Sequence, residues 1–172
     1  MGLTDIGYNS STFADQNAMY ISANELRLLY SAGVNTLRDQ YQAIINSICD
    51  NNCDVKIIVS SKTIINDEVT ITPPIEIESS IKIVESIITT IKVKEHSGSI
   101  ELRASPFLPI GRVEIHDDKY CFVMPYTYRR YANSLYHVKY VNTGKANDIY
   151  SIWKSHFTDI WDKSETVAKY PL

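Results

Sequence analysis

The 172-residue sequence predicts a single α/β domain, an α/β sandwich in which helices pack on a mixed β-sheet. Three observations predict this class. A strand, a helix and a second strand follow one another within about 35 residues, which is the pattern of a parallel βαβ unit. A second helical stripe then leads to another alternating strand. A hairpin follows, and because hairpin strands run antiparallel, the sheet is expected to be mixed.

The βαβ unit lies in residues 25–59. Residues 25–30 (ELRLLY) form an apolar strand, and Asn35 or Thr36 can cap the helix that follows. The apolar residues of this helix recur at helical spacing and define a buried stripe: Leu37, Tyr41, Ile44, Ile45 and Ile48. Residues 55–59 (VKIIV) are largely β-branched, which favours a strand.

The second half of the chain also contains segments with helical and strand patterns. Residues 63–72 are expected to be a loop with a short strand, and Pro73 and Pro74 open a helix that Gly98 stops. Its stripe is Ile77, Ile81, Val84, Ile88 and Ile91. Residues 100–104 and 137–141 read as strands. The last helix starts near Asn147 and Asp148, and its stripe is Ile149, Ile152, Trp153, His156, Ile160 and Trp161, with Phe157 at the edge.

Composition narrows the functional classes. The net charge of −3 gives no general electrostatic footprint for nucleic acid, and no apolar stretch approaches the ~18 residues of a membrane span. Three cysteines (Cys49, Cys53 and Cys121) cannot form a closed disulfide framework and suit a reducing compartment. We therefore expect a cytoplasmic protein with no metal site and no cofactor. Residues 1–19 are interpreted as a lead-in segment or linker, and residues 20–172 as the domain.

The candidate chemistry lies in residues 109–126, PIGRVEIHDDKYCFVMPY. Two apolar-rich runs are joined by Asp117 and Asp118, which is typical of a strand, a tight turn and a return strand. Arg112 and Glu114 stand at alternating positions of the first strand. Cys121 lies in the middle of the return strand and is expected to be a buried structural thiol rather than a nucleophile.

This hairpin resembles the catalytic hairpin of the phospholipase D superfamily, whose motif is H-x-K-x4-D followed by G-S-x-N. The resemblance implies a histidine that attacks phosphorus, a lysine that binds the phosphoryl oxygens and an aspartate that helps to set the turn. With Asp117 as the motif aspartate, the lysine position falls on Arg112 and the histidine position on Ile110. The return-strand positions fall on Met124, Pro125, Tyr126 and Thr127. The nucleophile and the Ser/Asn pair are therefore missing.

The resemblance extends over roughly residues 20–165, which follow the element order of one phospholipase D repeat. The ending YSIWKSHFTDIWDKS is similar to the last helix of phospholipase D-like domains found behind helix-turn-helix regions in bacterial regulators. The resemblance thus implies a catalytically degenerate domain that acts as a ligand-sensing, regulatory or assembly module, as part of a bacterial transcriptional regulator.

The resemblance also implies where a ligand and a partner would bind. An anionic small ligand is expected at a pocket formed by Arg112, Asp117, Arg103, Tyr126, Arg129 and Arg130. Enzymes of this fold need two motif copies around one site, and this chain has the length for one. We therefore expect a symmetric homodimer with the two hairpins facing each other.

Two alternatives stay open. One is an active phosphodiesterase or nuclease with a rewired site, in which His116 or His137 supplies the base or nucleophile. We assign His116 to the strand face opposite Arg112 and therefore expect it to point away from that residue. The other alternative is a pure protein-interaction domain with no pocket chemistry.

Overall fold

The computed structural model describes residues 3–7, 16–65, 68–71, 74–107, 109–125 and 137–171. In chain order the elements are β1 (Leu3–Gly7), α1 (Gln16–Ile21), β2 (Glu25–Tyr30), α2 (Val34–Asp39), α3 (Tyr41–Asn51), β3 (Asp54–Ser60), β4 (Lys62–Ile65), β5 (Glu68–Ile71), α4 (Pro74–Ile91), β6 (Ser99–Ser105), β7 (Gly111–His116), β8 (Tyr120–Pro125), β9 (His137–Val141), α5 (Ile149–Trp161) and β10 (Glu165–Tyr170).

Eight of the strands form one sheet in the order β1-β9-β8-β7-β2-β3-β6-β10. Strands β2, β3 and β6 run parallel to one another, as the βαβ pattern predicted. Strand β7 is antiparallel to β2, and β10 is antiparallel to β6. Strands β4 and β5 form a separate two-stranded hairpin. The predicted α/β fold with a mixed sheet is therefore confirmed.

Helices cover both faces of the sheet. Helices α1 to α4 pack on one face, where Leu28, Ile57 and Leu102 belong to the larger core. Helix α5 packs on the other face, against Leu29, Ile58 and neighbouring residues of the smaller core. Successive residues of one strand, such as Leu28 and Leu29, enter different cores because side chains alternate between the two faces of a sheet.

Two helices differ from their predictions. The helix expected from Asn35 or Thr36 to residue 51 is divided into α2 and α3 at Gln40, whose φ of −96° and ψ of 7° are not helical. In α5 the buried positions are Tyr150, Phe157, Ile160 and Trp161, whereas Ile152 is 59% exposed. The buried face of α5 therefore differs from the predicted one. Phe157 lies in the core and not at the edge of the buried face. Helix α4 ends at Ile91, before Gly98.

Sequence reasoning missed three elements. Strand β1 pairs with β9, and helix α1 contacts α3, although both lie mainly within the segment interpreted as a lead-in. Strand β10 forms the edge of the sheet opposite β1. The division of the chain near residue 20 stays a prediction. Among the described residues, no helix has both the length and the apolar character that crossing a membrane requires.

Candidate functional site

The hairpin predicted around Asp117 forms between β7 and β8. The two strands pair from Gly111 opposite Pro125 to His116 opposite Tyr120. Gly111 allows this close pairing, since a Cβ there would lie 2.8 Å from the carbonyl oxygen of Met124. The hairpin therefore holds the lysine and aspartate positions of the phospholipase D motif on a well-defined strand and turn.

Asp117 fixes the turn to the neighbouring strand β2. Its φ of 49° lies in the left-handed region, which aspartate tolerates better than most residues. Its Oδ1 accepts hydrogen bonds from the backbone N–H groups of Asn24, at 2.7 Å, and Glu25, at 3.0 Å. The carboxylate thus satisfies two donors at the start of β2 and sets the hairpin, which is the role that the resemblance implies.

Arg112 forms a buried ion pair with Glu114. Its Nε donates to Glu114 Oε1 at 2.6 Å, and its Nη2 donates to the same oxygen. Arg112 is 7% exposed and Glu114 is fully buried. Burial alone would raise the pKa of Glu114, but the adjacent Arg112 guanidinium, together with His116, outweighs burial and holds that pKa well below its ordinary value. Glu114 in turn raises the pKa of Arg112 against the opposing effect of burial.

Two tyrosines complete the surroundings of this pair. Tyr30 Oη donates to Glu114 Oε1 at 3.2 Å, and the hydroxyls of Tyr20 and Tyr30 lie 3.2 Å apart. The Arg112 guanidinium lies 5.3 Å from the centroid of the Tyr30 ring. Burial, and next the charge of Glu114, raises the pKa of both tyrosines, so they stay neutral donors. Tyr20, Tyr30, Arg112, Glu114 and His116 are called the Arg112 cluster below.

The expectation that His116 points away from Arg112 is wrong. The two residues are four positions apart, an even number, so strand alternation places both on the face that also carries Glu114. His116 Nε2 lies 3.8 Å from Glu114 Oε2, and its ring contacts the edges of Tyr20 and Phe122. The ring is 2% exposed, and its nitrogens accept or donate no hydrogen bond within the described residues. The geometry is that of a packed core histidine.

Two residues of the predicted ligand pocket lie apart from Arg112. Arg103 projects toward α5 on the opposite face of the sheet, where its guanidinium stacks 4.2 Å from the Trp161 ring centroid. It also donates to Glu101 Oε1 at 2.7 Å and to the Trp161 carbonyl oxygen at 2.9 Å. Asp117 follows the other end of β7, five positions and so roughly 16 Å along the strand from Arg112. The structure therefore does not bring these three residues into one pocket.

The remaining candidates are placed differently. Tyr126, Arg129 and Arg130 lie outside the described residues, so their part in a pocket stays a prediction. His137 begins β9, opposite Gly7 of β1, and is 1% exposed. Because β8 lies between β9 and β7, His137 is two strand spacings, about 10 Å, away from β7.

The positions that carry catalysis in the motif are occupied by unsuitable side chains. Ile110, at the histidine position, precedes β7 and is 62% exposed. Met124 and Pro125 occupy the Gly-Ser positions, and Met124 is fully buried. Cys121 is buried as predicted, and burial raises the pKa of its thiol. No group of three or more His, Cys, Asp or Glu side chains within the described part of the chain is arranged to hold a metal ion.

Sequence reasoning missed Glu114, Tyr20 and Tyr30 as partners of Arg112. The spacing of Glu114, two positions from Arg112 on a strand, was a usable signal for a pair on one face. No local signal points to Tyr20 or Tyr30, because they come from α1 and β2 and meet Glu114 only in the folded chain.

Two solved structures are similar to this chain. Nuc from Salmonella typhimurium, a phospholipase D family member, superposes with a TM-score of 0.61 at 19% identity, over 95% of this chain and 96% of Nuc. TrmBL2, an archaeal chromatin protein with a novel mode of DNA binding, superposes with a TM-score of 0.60 at 19% identity, over 95% of this chain. The match covers 54% of TrmBL2, so this chain spans about half the length of that protein. No protein-family model and no curated protein sequence matches. The likeness shows that this chain has the phospholipase D-like fold.

Proposed function

We propose that this chain is a catalytically degenerate phospholipase D-like domain that works as a regulatory or assembly module and does not hydrolyse phosphodiesters. The observation that carries the proposal is the buried Arg112–Glu114 pair at the position where the motif has its lysine. A phosphate-binding site needs cations that are not already neutralised. Here the guanidinium is bound to a carboxylate of its own strand.

The nucleophile position supports the same conclusion. An exposed isoleucine, Ile110, cannot attack phosphorus or transfer a proton. The His116 ring contacts the rings of Tyr20 and Phe122, faces Glu114 and is 2% exposed, so it is not accessible to a substrate phosphate from solvent. The Glu114 carboxylate would also repel a phosphodiester brought close to Arg112.

The hydrogen bonds between Arg112 and Glu114 also affect whether an anionic ligand can bind at Arg112. Arg112 already donates hydrogen bonds from Nε and Nη2 to Glu114. An anionic small ligand at Arg112 would therefore have to share the guanidinium with that carboxylate. The described residues therefore favour regulation or assembly through the surface of the domain over sensing of an anion within the Arg112 cluster.

The likeness to TrmBL2 supports a place for this domain within a larger regulator. In that chromatin protein the matched region is 54% of the chain, so the fold occurs there together with other segments. The net charge of −3 of this chain suits a domain that is not itself the main contact to nucleic acid. A bacterial transcriptional regulator is the setting that we propose.

A symmetric homodimer with the hairpins facing each other is the second part of the proposal. The loop that leads into β7 carries two exposed apolar side chains, Phe107 (45% exposed) and Ile110 (62% exposed). Ile110 precedes β7 directly, and Phe107 follows β6, where its carbonyl oxygen accepts a hydrogen bond from Ser60 at the end of β3. We propose that the partner covers these exposed apolar side chains.

The test of the proposal is an activity assay. We expect no turnover when the purified chain is incubated with a panel of phosphodiesters, with and without divalent metal ions. Turnover that His116→Ala or His137→Ala abolishes would contradict the proposal and would favour a rewired phosphodiesterase. Lys145→Ala, a change at an exposed position in the loop before α5, is the matched control and should leave any observed activity unchanged.

A further inference from the structure

A groove lies between helix α4 and the last strand of the sheet, far from the Arg112 cluster. Its lining residues are Glu85, Ile88, Thr89 and Lys92 of α4, and Val167, Ala168 and Lys169 of β10. The four helix residues have the spacing i, i+3, i+4 and i+7, which places them on one face of α4. This face of α4 therefore looks onto the outer side of β10.

Strand β10 is the edge of the sheet and pairs only with β6 among the described strands. An unpaired strand edge presents backbone N–H and C=O groups that can pair with another chain. The register of β10 shifts between Thr166 and Ala168, so Val167 forms a bulge there. A bulge bends the strand and shortens the stretch available for pairing. A partner on this edge would therefore need side-chain contacts with α4 as well.

The charges along the groove have a definite order. Helix α4 connects the parallel strands β3 and β6 and so runs against them, and β10 is antiparallel to β6. Helix and strand thus run in the same direction. Among the lining residues, Glu85 precedes the middle of the groove, and Lys92 and Lys169 follow it. The groove is acidic at one end and basic at the other.

Most of these charges are available for a partner. Within the described part of the chain, Glu85 and Lys92 form no ion pair. Lys169 Nζ lies 3.5 Å from Glu101 Oε2, and its side chain is 49% exposed. In the middle of the groove, Val167 is 39% exposed and Ala168 is partly buried, whereas Ile88 is 7% exposed and packs in the larger core.

We infer that this groove binds a second copy of this chain. A twofold axis that lies across the groove at its middle places Glu85 opposite Lys92 of the second copy. Each contact then occurs twice, as in any isologous interface. Val167, which is 39% exposed, meets its own counterpart near the axis and supplies an apolar contact there. The inference does not depend on the loss of catalysis and concerns a surface separate from the facing hairpins.

The experiment is analytical ultracentrifugation of the whole chain and of charge-reversal variants. Glu85→Lys places like charges opposite each other twice in the interface, and Lys92→Glu does the same. We expect each single variant to weaken this association step about tenfold or more, because two exposed ion pairs become repulsive. The double variant Glu85→Lys/Lys92→Glu restores opposite charges and should regain association close to that of the wild-type chain.

The control variant is Asp159→Lys, which reverses an exposed acid on α5, on the other face of the sheet. It should leave the association unchanged, and circular dichroism should show that every variant is folded. Ile110→Lys separates this surface from the facing hairpins. If both surfaces associate, the wild-type chain forms particles larger than a dimer, and either variant reduces them.

Three results would overturn the inference. A wild-type chain that is monomeric at high micromolar concentration has no such interface. Association that Glu85→Lys leaves unchanged but Ile110→Lys abolishes would assign the contact to the hairpins. Loss in the single variants without recovery in the double variant would mean that the two charges do not face each other, as for a groove that takes a strand of another protein.

Discussion

At the level of single residues, the Arg112–Glu114 pair affects the stability of the fold and the charge that is available at this site. Both side chains are buried, and each compensates the charge of the other. Such a pair is often no more stabilising than two well-packed apolar side chains, but the loss of one partner is costly. The pair is therefore a vulnerable point in the fold, and it engages the guanidinium at the lysine position of the motif.

Glu114→Ala should be strongly destabilising. It leaves the Arg112 guanidinium buried without its carboxylate, so we expect a loss of about 3–5 kcal/mol in the free energy of unfolding, measured by urea denaturation. Glu95→Ala, at an exposed position, is the control and should stay within about 0.5 kcal/mol of the wild-type chain. The double variant Arg112→Met/Glu114→Leu should recover most of the loss. A cost near that of the control would show that the two charges do not depend on each other.

The same pair predicts a pH dependence. Although burial favours its neutral form, Arg112 holds the pKa of Glu114 in the folded chain below that of the unfolded chain. The stabilisation is therefore complete above the unfolded-state pKa, roughly 4.3, and is lost as the pH falls through the folded-state pKa. Acid denaturation should be steeper for the wild-type chain than for Arg112→Met/Glu114→Leu. Equal profiles for the two proteins would argue against this account of Glu114.

At the level of elements, the β7–β8 hairpin is joined to β2 through its turn. Asp117 accepts two backbone hydrogen bonds from the start of β2, and its own N–H donates to the Glu25 carbonyl oxygen at 2.9 Å. The motif aspartate therefore keeps a structural role here, although the histidine and lysine of the motif are absent. The conformation of the turn therefore depends on these hydrogen bonds and not on the histidine and lysine of the motif.

Asp117→Ala should destabilise the hairpin. Two backbone donors lose their acceptor and the left-handed φ of 49° becomes unfavourable, so we expect a loss of about 1–3 kcal/mol. Asp117→Asn keeps an acceptor oxygen and tolerates the left-handed region, and it should cost clearly less. Thermal unfolding of the two variants side by side is the measurement. A larger effect for Asn than for Ala would contradict the assigned hydrogen bonds.

At the level of the whole molecule, one phospholipase D-like repeat has two exposed surfaces on opposite parts of the sheet. One carries Phe107 and Ile110 at the entrance to β7, and the other is the groove between α4 and β10. Neither surface includes residues of the Arg112 cluster. The assembly role that we propose therefore does not depend on the chemistry of that cluster.

Ile110→Lys should weaken a dimer in which the hairpins face each other. The substitution adds a positive charge to both copies of a contact that is apolar, so we expect a shift toward smaller particles in sedimentation at a fixed concentration. Ile152→Lys, at an apolar position of α5 with 59% exposure, is the control and should leave the distribution unchanged. If Ile110→Lys sediments as the wild-type chain does, the hairpins are not an interface.

The sequence by itself determined the elements whose pattern is local. Helical spacing of isoleucines marked α3 and α4, β-branched runs marked β3, and the Asp117–Asp118 turn marked the hairpin. The resemblance to the phospholipase D motif also singled out Arg112 and Asp117, and it implied that the histidine position of the motif falls on Ile110. These features can be read from the sequence because hydrophobic periodicity and turn chemistry depend on residues that are near one another in the chain.

Only the tertiary structure decided which side chains meet. Tyr20 and Tyr30 reach Glu114 from α1 and β2, while Arg103 lies on the opposite face of the sheet from Arg112. The edge strands β1 and β10 were missed for a related reason. Their conformation depends on pairing with β9 and β6, which come from other parts of the chain. Long-range pairing of this kind leaves little trace in local sequence patterns, because packing against distant partners overrides intrinsic strand preference.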